Sequence, residues 1–262
     1  METPTPTGEG SLEKLERVSY LSSVPLRRIG DNGLPDSIAS GCLVRYRERK
    51  ILLTVAHATV TRGRWAIELG YLPSIKKVEL YGLGSMQFLE AGETGGGSRL
   101  LDFSYVIVPD DIIAYRQIID ESSFEIVSKE EISIHQLLPA TSPAKNIFYG
   151  FCGSVKPLVE PHLTATIFSG ELSNYVGLTY ARSEGDFHVF NLPTLHGGHE
   201  NFKGCSGAPV IDELGNVVGL VSCGVEDANE IWAFNFQPYL CALDILVATQ
   251  ERGQVHLSGR SL

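Results

Sequence analysis

The stretch Gly204–Ser222, GCSGAPVIDELGNVVGLVS, decides how this chain reads. It opens with a tight glycine-flanked turn, Gly204-Cys-Ser206-Gly-Ala-Pro209, that carries a hydroxyl at its apex. Two short strand-like runs follow, Pro209–Ile211 and Val217–Val221, joined by Asp212-Glu-Leu-Gly215, a good hairpin connection. A reactive side chain therefore sits at the edge of an apolar β hairpin. Working outward, short β runs continue on both sides. Upstream lie Asn146–Phe151, Leu163–Phe168, Leu178–Ala181 and Phe187–Asn191; downstream lies Ile231–Phe236 and then a closing helix over roughly Pro238–Thr249, with proline in its first turn.

The first half repeats the pattern. Ser40–Tyr46 and Ile51–Ala56 flank the charged turn at Arg47–Lys50 and read as a hairpin. Strand-like runs follow at Ala66–Leu69, Lys77–Tyr81 and Phe103–Val108. Asp110 is expected to cap a short helix reaching Ile119, and Glu121–Ser142 to connect the halves. About a dozen strands in two sets with few helices make the chain all-β, with two barrels or sandwiches. The expected organisation is a flexible arm over residues 1–17, rich in Thr, Pro, Gly and Glu, a first lobe over 18–125, and a second over 126–262 that includes the terminal helix.

Composition bounds the function. The 262 residues carry 21 Lys and Arg against 31 Asp and Glu, a net charge of −10, and 43% hydrophobic residues. Such a chain buries a real core, and its acidic surface repels phosphate backbones, so no nucleic-acid partner is expected. No apolar run approaches the roughly 18 residues of a membrane span. The N-terminus lacks a secretory pattern. Five cysteines (Cys42, Cys152, Cys205, Cys223, Cys241) are odd in number and widely spaced. They read as small residues, at least four of them buried, in a cytoplasmic protein without disulfides.

Three segments bear chemistry. Leu53-Thr-Val-Ala-His57 ends an apolar strand in a histidine, Leu101-Asp102-Phe-Ser-Tyr-Val-Ile-Val108 opens one with an aspartate, and the Gly204 turn presents Ser206. Taken singly, each has an ordinary structural reading. Together they supply a nucleophile, a base to take its proton and a carboxylate to orient the base. Gly204 frees the backbone so that the N–H groups of Gly204 and Ser206 can face a developing oxyanion. The order His, Asp, Ser on an all-β background is that of the chymotrypsin-type triad.

These segments resemble those of trypsin/chymotrypsin-like serine proteases, nearest the bacterial high-temperature-requirement (HtrA-type) and intracellular trypsin-like peptidases. Leu53–His57 is similar to the T-A-A-H segment, Asp102–Val108 to the strand that follows the catalytic aspartate, and Gly204–Val210 to the G-x-S-G-G-P segment. The resemblance implies a double six-stranded β-barrel with its site between the barrels. It implies His57, Asp102 and Ser206 as catalytic residues and the amides of Gly204 and Ser206 as the oxyanion hole. It further assigns Ser222, Cys223 and Gly224 to a strand that pairs with substrate, with Ser222 hydrogen-bonded to the aspartate. No cofactor or metal is implied.

The departures are informative. Cys205 stands where zymogen-activated members carry an aspartate, Ala208 replaces a glycine and Ala58 replaces a cysteine. An enzyme active as made, or controlled by a regulatory protein partner, is expected. Cys205 reads as a small interior residue rather than a redox sensor. His196 and His199 read as loop residues rather than a zinc pair. Glu200 falls at the floor of the family's primary pocket, with Glu226, Asp227 and Glu230 adding charge, which favours Lys or Arg before the scissile bond. The expected activity is serine endopeptidase cleavage of a protein or peptide substrate. The alternative is a catalytically silent peptide-binding module on the same fold.

Overall fold

The computed structural model describes residues 9–61, 63–92, 95–120, 122–137, 142–162, 165–195, 197–198, 201–225 and 227–258. The chain begins with helix α1 (Glu9–Tyr20) and strands β1 (Ser23–Ile29), β2 (Pro35–Tyr46) and β3 (Arg49–Thr54). A single helical turn, α2 (Ala56–Thr59), precedes β4 (Arg64–Leu72), β5 (Lys77–Gly82), β6 (Gln87–Gly92) and β7 (Ser98–Ile107). β8 (Tyr115–Ile119) and β9 (Ile126–Glu131) form a separate hairpin, and β10 (His135–Gln136) follows. The second half holds β11 (Phe148–His162), β12 (Ala165–Glu184), β13 (Phe187–Asn191), β14 (Pro209–Asp212), β15 (Val217–Val225), β16 (Glu230–Phe234) and α3 (Leu240–Ser258). Among the described residues no helix is long and apolar enough to cross a membrane.

The first sheet runs β5-β4-β1-β2-β3-β7-β6, with β10 paired to β2 in parallel. β4 and β7 are four strand steps apart along it, on the order of 19 Å if flat. Trp65 and Ile67 of β4 nevertheless share one buried cluster with Val106 of β7, together with Leu26, Leu43 and Leu52, so the sheet is rolled around that core. The second lobe is a closed six-stranded barrel, β11-β12-β13-β16-β15-β14, filled by Tyr149, Phe151, Phe190, Val210, Val221 and their neighbours. The architecture is the all-β double barrel with a C-terminal helix that the sequence implied.

Side-chain alternation explains why the central strands read as continuous apolar runs. In β3, Leu52 enters the first core while Ile51 and Leu53 face outward. In β15, Val218 and Val221 enter the second barrel while Val217 and Leu220 face outward, a bulge opposite Val210 and Ile211 interrupting the strict alternation. Both outward sets meet in a third core between the lobes, where Phe103 stacks on Phe234 and Phe236 at 5.8 and 6.1 Å. Burial on both faces removes the polar alternation of a half-exposed strand.

Several expectations are corrected. Residues 9–17, read as part of a flexible arm, belong to α1, whose Leu15 is fully buried in the interlobe core. Ser19 ties α1 to β12 through a hydrogen bond to Asn174 (2.8 Å). The helix expected from Asp110 to Ile119 is absent. Buried Lys50 donates to the carbonyls of Asp110 and Ile112 (2.9 and 2.6 Å), which pins that segment, and Tyr115–Ile119 instead pairs with β9. β10 joins the first sheet from beyond the expected lobe boundary at 125–126. The terminal helix starts at Leu240, after a 3-10 turn over Gln237–Tyr239, and extends to Ser258. Two of the five free cysteines, Cys223 and Cys241, are exposed, so three rather than four are buried.

His135 on β10 locks the lobes together. It is 6% exposed, and its Nδ1–H donates to the Gly215 carbonyl in the turn between β14 and β15 (2.9 Å). Burial lowers its pKa, and burial does the same to His188. The fold therefore holds both neutral, whereas the unfolded chain takes up protons near the ordinary value of about 6.5. Their stabilisation is complete above that pH and is lost as the pH falls toward their folded values. We expect the urea midpoint to drop between pH 7.5 and 5, and a His135→Gln variant to show a shallower drop. A midpoint flat across that interval in the wild type would contradict this assignment.

Candidate active site

β3 and β7 run antiparallel with Thr54 opposite Ser104. Extending that register past the end of β3 brings residues 56 and 57 alongside Asp102. The chain leaves the strand at Val55, still extended (φ −95°, ψ 145°), and the α2 turn presents His57. Asp102 lies inside β7 rather than at the start of a strand as expected, because β7 begins at Ser98. Its Oδ1 accepts from the His57 backbone N–H (2.9 Å), and both carboxylate oxygens lie 2.9 Å from His57 Nδ1. The backbone contact fixes where the carboxylate sits, and the ring contact fixes the imidazole's orientation.

Ser206 comes from the other lobe. Its turn is closed by Cys205 N–H to Phe202 O and Ala208 N–H to Cys205 O, both 2.9 Å. Gly207 N–H to Val221 O and Val221 N–H to Ala208 O, both 2.8 Å, fasten the turn to β15. Ser206 Oγ then lies 3.1 Å from His57 Nε2. Ser222 Oγ donates to Asp102 Oδ2 at 2.6 Å, so the second lobe also grips the carboxylate. The structure thus brings His57, Asp102, Ser206 and Ser222 into one hydrogen-bonded line across the lobe interface.

Electrostatics follow from unequal burial. The Asp102 side chain is 15% exposed and that of His57 is 49%. Burial works against ionisation of Asp102. The hydrogen bonds from the His57 ring and backbone and from Ser222 outweigh it, and the carboxyl titrates below its usual range. Cys205, next to the serine, is fully buried and its thiol is pushed up by desolvation, so it is a packing residue as expected.

Gly204 has φ +96°. Among the described residues, neither its N–H nor that of Ser206 has a hydrogen-bond acceptor. Beyond Ser222, the side of β15 facing away from β16 has no strand partner among the described residues, and Cys223 and Gly224 are exposed there. Glu200, His196, His199 and Glu226 lie outside the described residues. The charge expected of Glu230 is not free, because Arg182 takes its carboxylate with its two terminal guanidinium nitrogens (2.5 and 3.2 Å) and lowers its pKa. Asp227 is exposed. Sequence reasoning missed Ser40, whose N–H donates to the Ser206 carbonyl (2.9 Å). A serine inside a strand carries no mark that would reveal such a contact.

No protein-family model and no curated protein sequence matches this chain. Solved structures do. A serine endoprotease from Yersinia pestis is similar over 94% of this chain and 68% of its own, with 11% identity and a TM-score of 0.51. A structure of HBP is similar over 88% of this chain and 93% of its own, with 13% identity and a TM-score of 0.54. The Rv3671c protease in an inactive form covers 90% of this chain and 93% of its own, at 14% identity and a TM-score of 0.47. The likeness is one of architecture, and it establishes that the two β lobes of this chain have the chymotrypsin-like serine protease fold.

Proposed function

We propose that this chain is a serine endopeptidase. The observation that carries the reading is the line Ser206 Oγ, His57 Nε2, His57 Nδ1, Asp102, with links of 3.1 and 2.9 Å. Ser206 Oγ attacks the carbonyl carbon of a peptide bond as His57 Nε2 takes its proton. Asp102 keeps the Nδ1–H tautomer and stabilises the imidazolium. The unpartnered amides of Gly204 and Ser206 receive the negative charge on the carbonyl oxygen. His57 then protonates the leaving amine, and water, deprotonated by His57, hydrolyses the acyl-enzyme.

The unpaired side of β15 at Ser222, Cys223 and Gly224 suits an extended peptide added as a strand, which reads main chain and leaves selectivity to pockets. Glu200 is our proposed determinant of a preference for Lys or Arg. The reacting line is complete within one chain, which favours turnover by the isolated protein over control by a partner.

Intact-mass analysis after treatment with a fluorophosphonate tests the reading. One adduct on the wild type, absent from Ser206→Ala, is expected. A folded wild type that takes no adduct defeats the endopeptidase reading and favours the peptide-binding alternative.

A further inference from the structure

The nucleophile turn belongs to the second lobe, yet much of what holds it comes from Ser40 in the first. Ser40 is fully buried on β2. Its N–H donates to the Ser206 carbonyl (2.9 Å), and its Oγ donates to the Gly204 carbonyl (2.8 Å) while accepting from Ser154 N–H (3.2 Å). Its own carbonyl accepts from Thr54 Oγ1 (2.8 Å) at the end of β3. One residue thus braces the carbonyl ends of the peptide planes after Gly204 and after Ser206, whose N–H ends bond to Phe202 O and Val221 O. The plane between them carries the Ser206 N–H. Glycine at 204, with φ +96°, offers little resistance of its own to rotation, so the orientation of this turn depends on such outside contacts.

We propose that Ser40 is a positioning residue that aims the Gly204 and Ser206 amides at the oxyanion through its side-chain bond to the Gly204 carbonyl. The assignment rests on the endopeptidase reading. The hydroxyl touches no reacting atom. Without it, the Gly204 carbonyl and Ser154 N–H lose a buried partner, and the plane after Gly204 is held from its other side alone, by Cys205 N–H to Phe202 O (2.9 Å). The amides then spend less time aligned, which raises the barrier to oxyanion formation without weakening ground-state binding.

The test compares wild type, Ser40→Ala and Ser206→Ala by the rate of phosphonylation by a fluorophosphonate, in which Ser206 Oγ bonds to phosphorus and fluoride leaves. It also compares hydrolysis of 4-nitrophenyl acetate with that of its thionoester, whose sulfur accepts hydrogen bonds poorly. For Ser40→Ala we expect phosphonylation about 10- to 100-fold slower, unchanged KM, lower kcat, and a smaller oxoester-to-thionoester rate ratio. A purely structural role would lower the thermal midpoint and leave that ratio alone. If Ser40→Ala does not fold, Ser40→Cys, with a similar shape and a weaker donor, takes its place with the same expected direction. A wild type that reacts normally, beside a folded variant within twofold in rate and equal in ratio, overturns the role of Ser40 alone. A wild type without any adduct overturns the endopeptidase reading and this role with it.

Discussion

Asp102→Asn is expected to slow phosphonylation of Ser206 by a fluorophosphonate about 10⁴-fold and to leave the fold in place. The replacement is nearly isosteric, so the packing of β7 against β3 survives. Three donors converge on the carboxylate: His57 N–H, His57 Nδ1–H and Ser222 O–H. An asparagine offers one acceptor oxygen and one NH2. If the NH2 faces the ring, Nδ1 must become an acceptor and the proton moves to Nε2, which can then no longer take one from Ser206. If the NH2 faces Ser222, the tautomer survives, but the imidazolium formed during attack has lost its counter-charge. Both orientations slow the reaction. Ser222→Ala should fall between this variant and the wild type. It leaves the charge but removes one of the bonds that hold Asp102 ionised against burial, so the carboxyl's pKa rises from its lowered value and its grip on the imidazole loosens. Time courses by intact mass, beside thermal midpoints, check both variants. An Asp102→Asn chain phosphonylated within tenfold of the wild-type rate would remove Asp102 from the mechanism.

How much of this was legible depended on what each residue needed from its neighbours. β2 and β3 announce themselves because both faces are buried, and the hairpin of β14 and β15 because Asp212–Gly215 makes a local turn. Helix α1 does not. Leu12, Leu15 and Val18 are its few apolar residues, and its stability comes from Leu15 entering a core built by strands far along the chain. The residues after Asp110 mimic a helical face, but Lys50, about sixty positions earlier, captures their carbonyls. The polar run Ser169–Ser173 splits β12 into two apparent strands, although the backbone stays paired with β11 through it. In the site, the residues we propose to react were legible because few side-chain types can serve as nucleophile, base and orienting acid. Their convergence was not, because it depends on the register of β3 against β7 and on the interlobe core. Ser40, and the capture of Glu230 by Arg182, are likewise products of tertiary placement.

The same placement explains why the site needs both barrels. His57 and Asp102 ride on the first lobe, Ser206 and Ser222 on the second, so the 3.1 Å between Ser206 and His57 is an interlobe distance. Phe103 follows Asp102 directly, and its stacking on Phe234 and Phe236 seats that end of β7 against the second barrel. Close packing of this kind is stiff, and displacement of one wall is transmitted to the other. The apolar seam therefore sets the spacing of the polar line above it.

Gly204→Ala should cost at least 10²-fold in acylation rate and lower stability by roughly 1–3 kcal/mol. Two separate obstacles act at this position. With φ +96° the backbone lies where an L side chain is strained. The added Cβ would also fall on the Ser154 carbonyl and on Ile38, whose Cδ1 and Cγ1 lie 2.6 and 2.8 Å from it. Ile38 can change rotamer, but Ser154 is held by the β11–β12 ladder and by its N–H bond to Ser40. The turn must therefore give way, carrying the Gly204 N–H and the Ser206 backbone with it. Gly185→Ala is a control for a positive φ without a steric conflict, because φ there is +56° and a Cβ meets nothing within 4 Å. That variant pays the backbone strain in a distant turn and should acylate at the wild-type rate. Measuring acylation and thermal midpoint on both separates strain from displacement of the amides. Should Gly204→Ala react as fast as Gly185→Ala, the Gly204 amide would have no part in holding the oxyanion, and stabilisation of that charge would have to be sought elsewhere in the cleft.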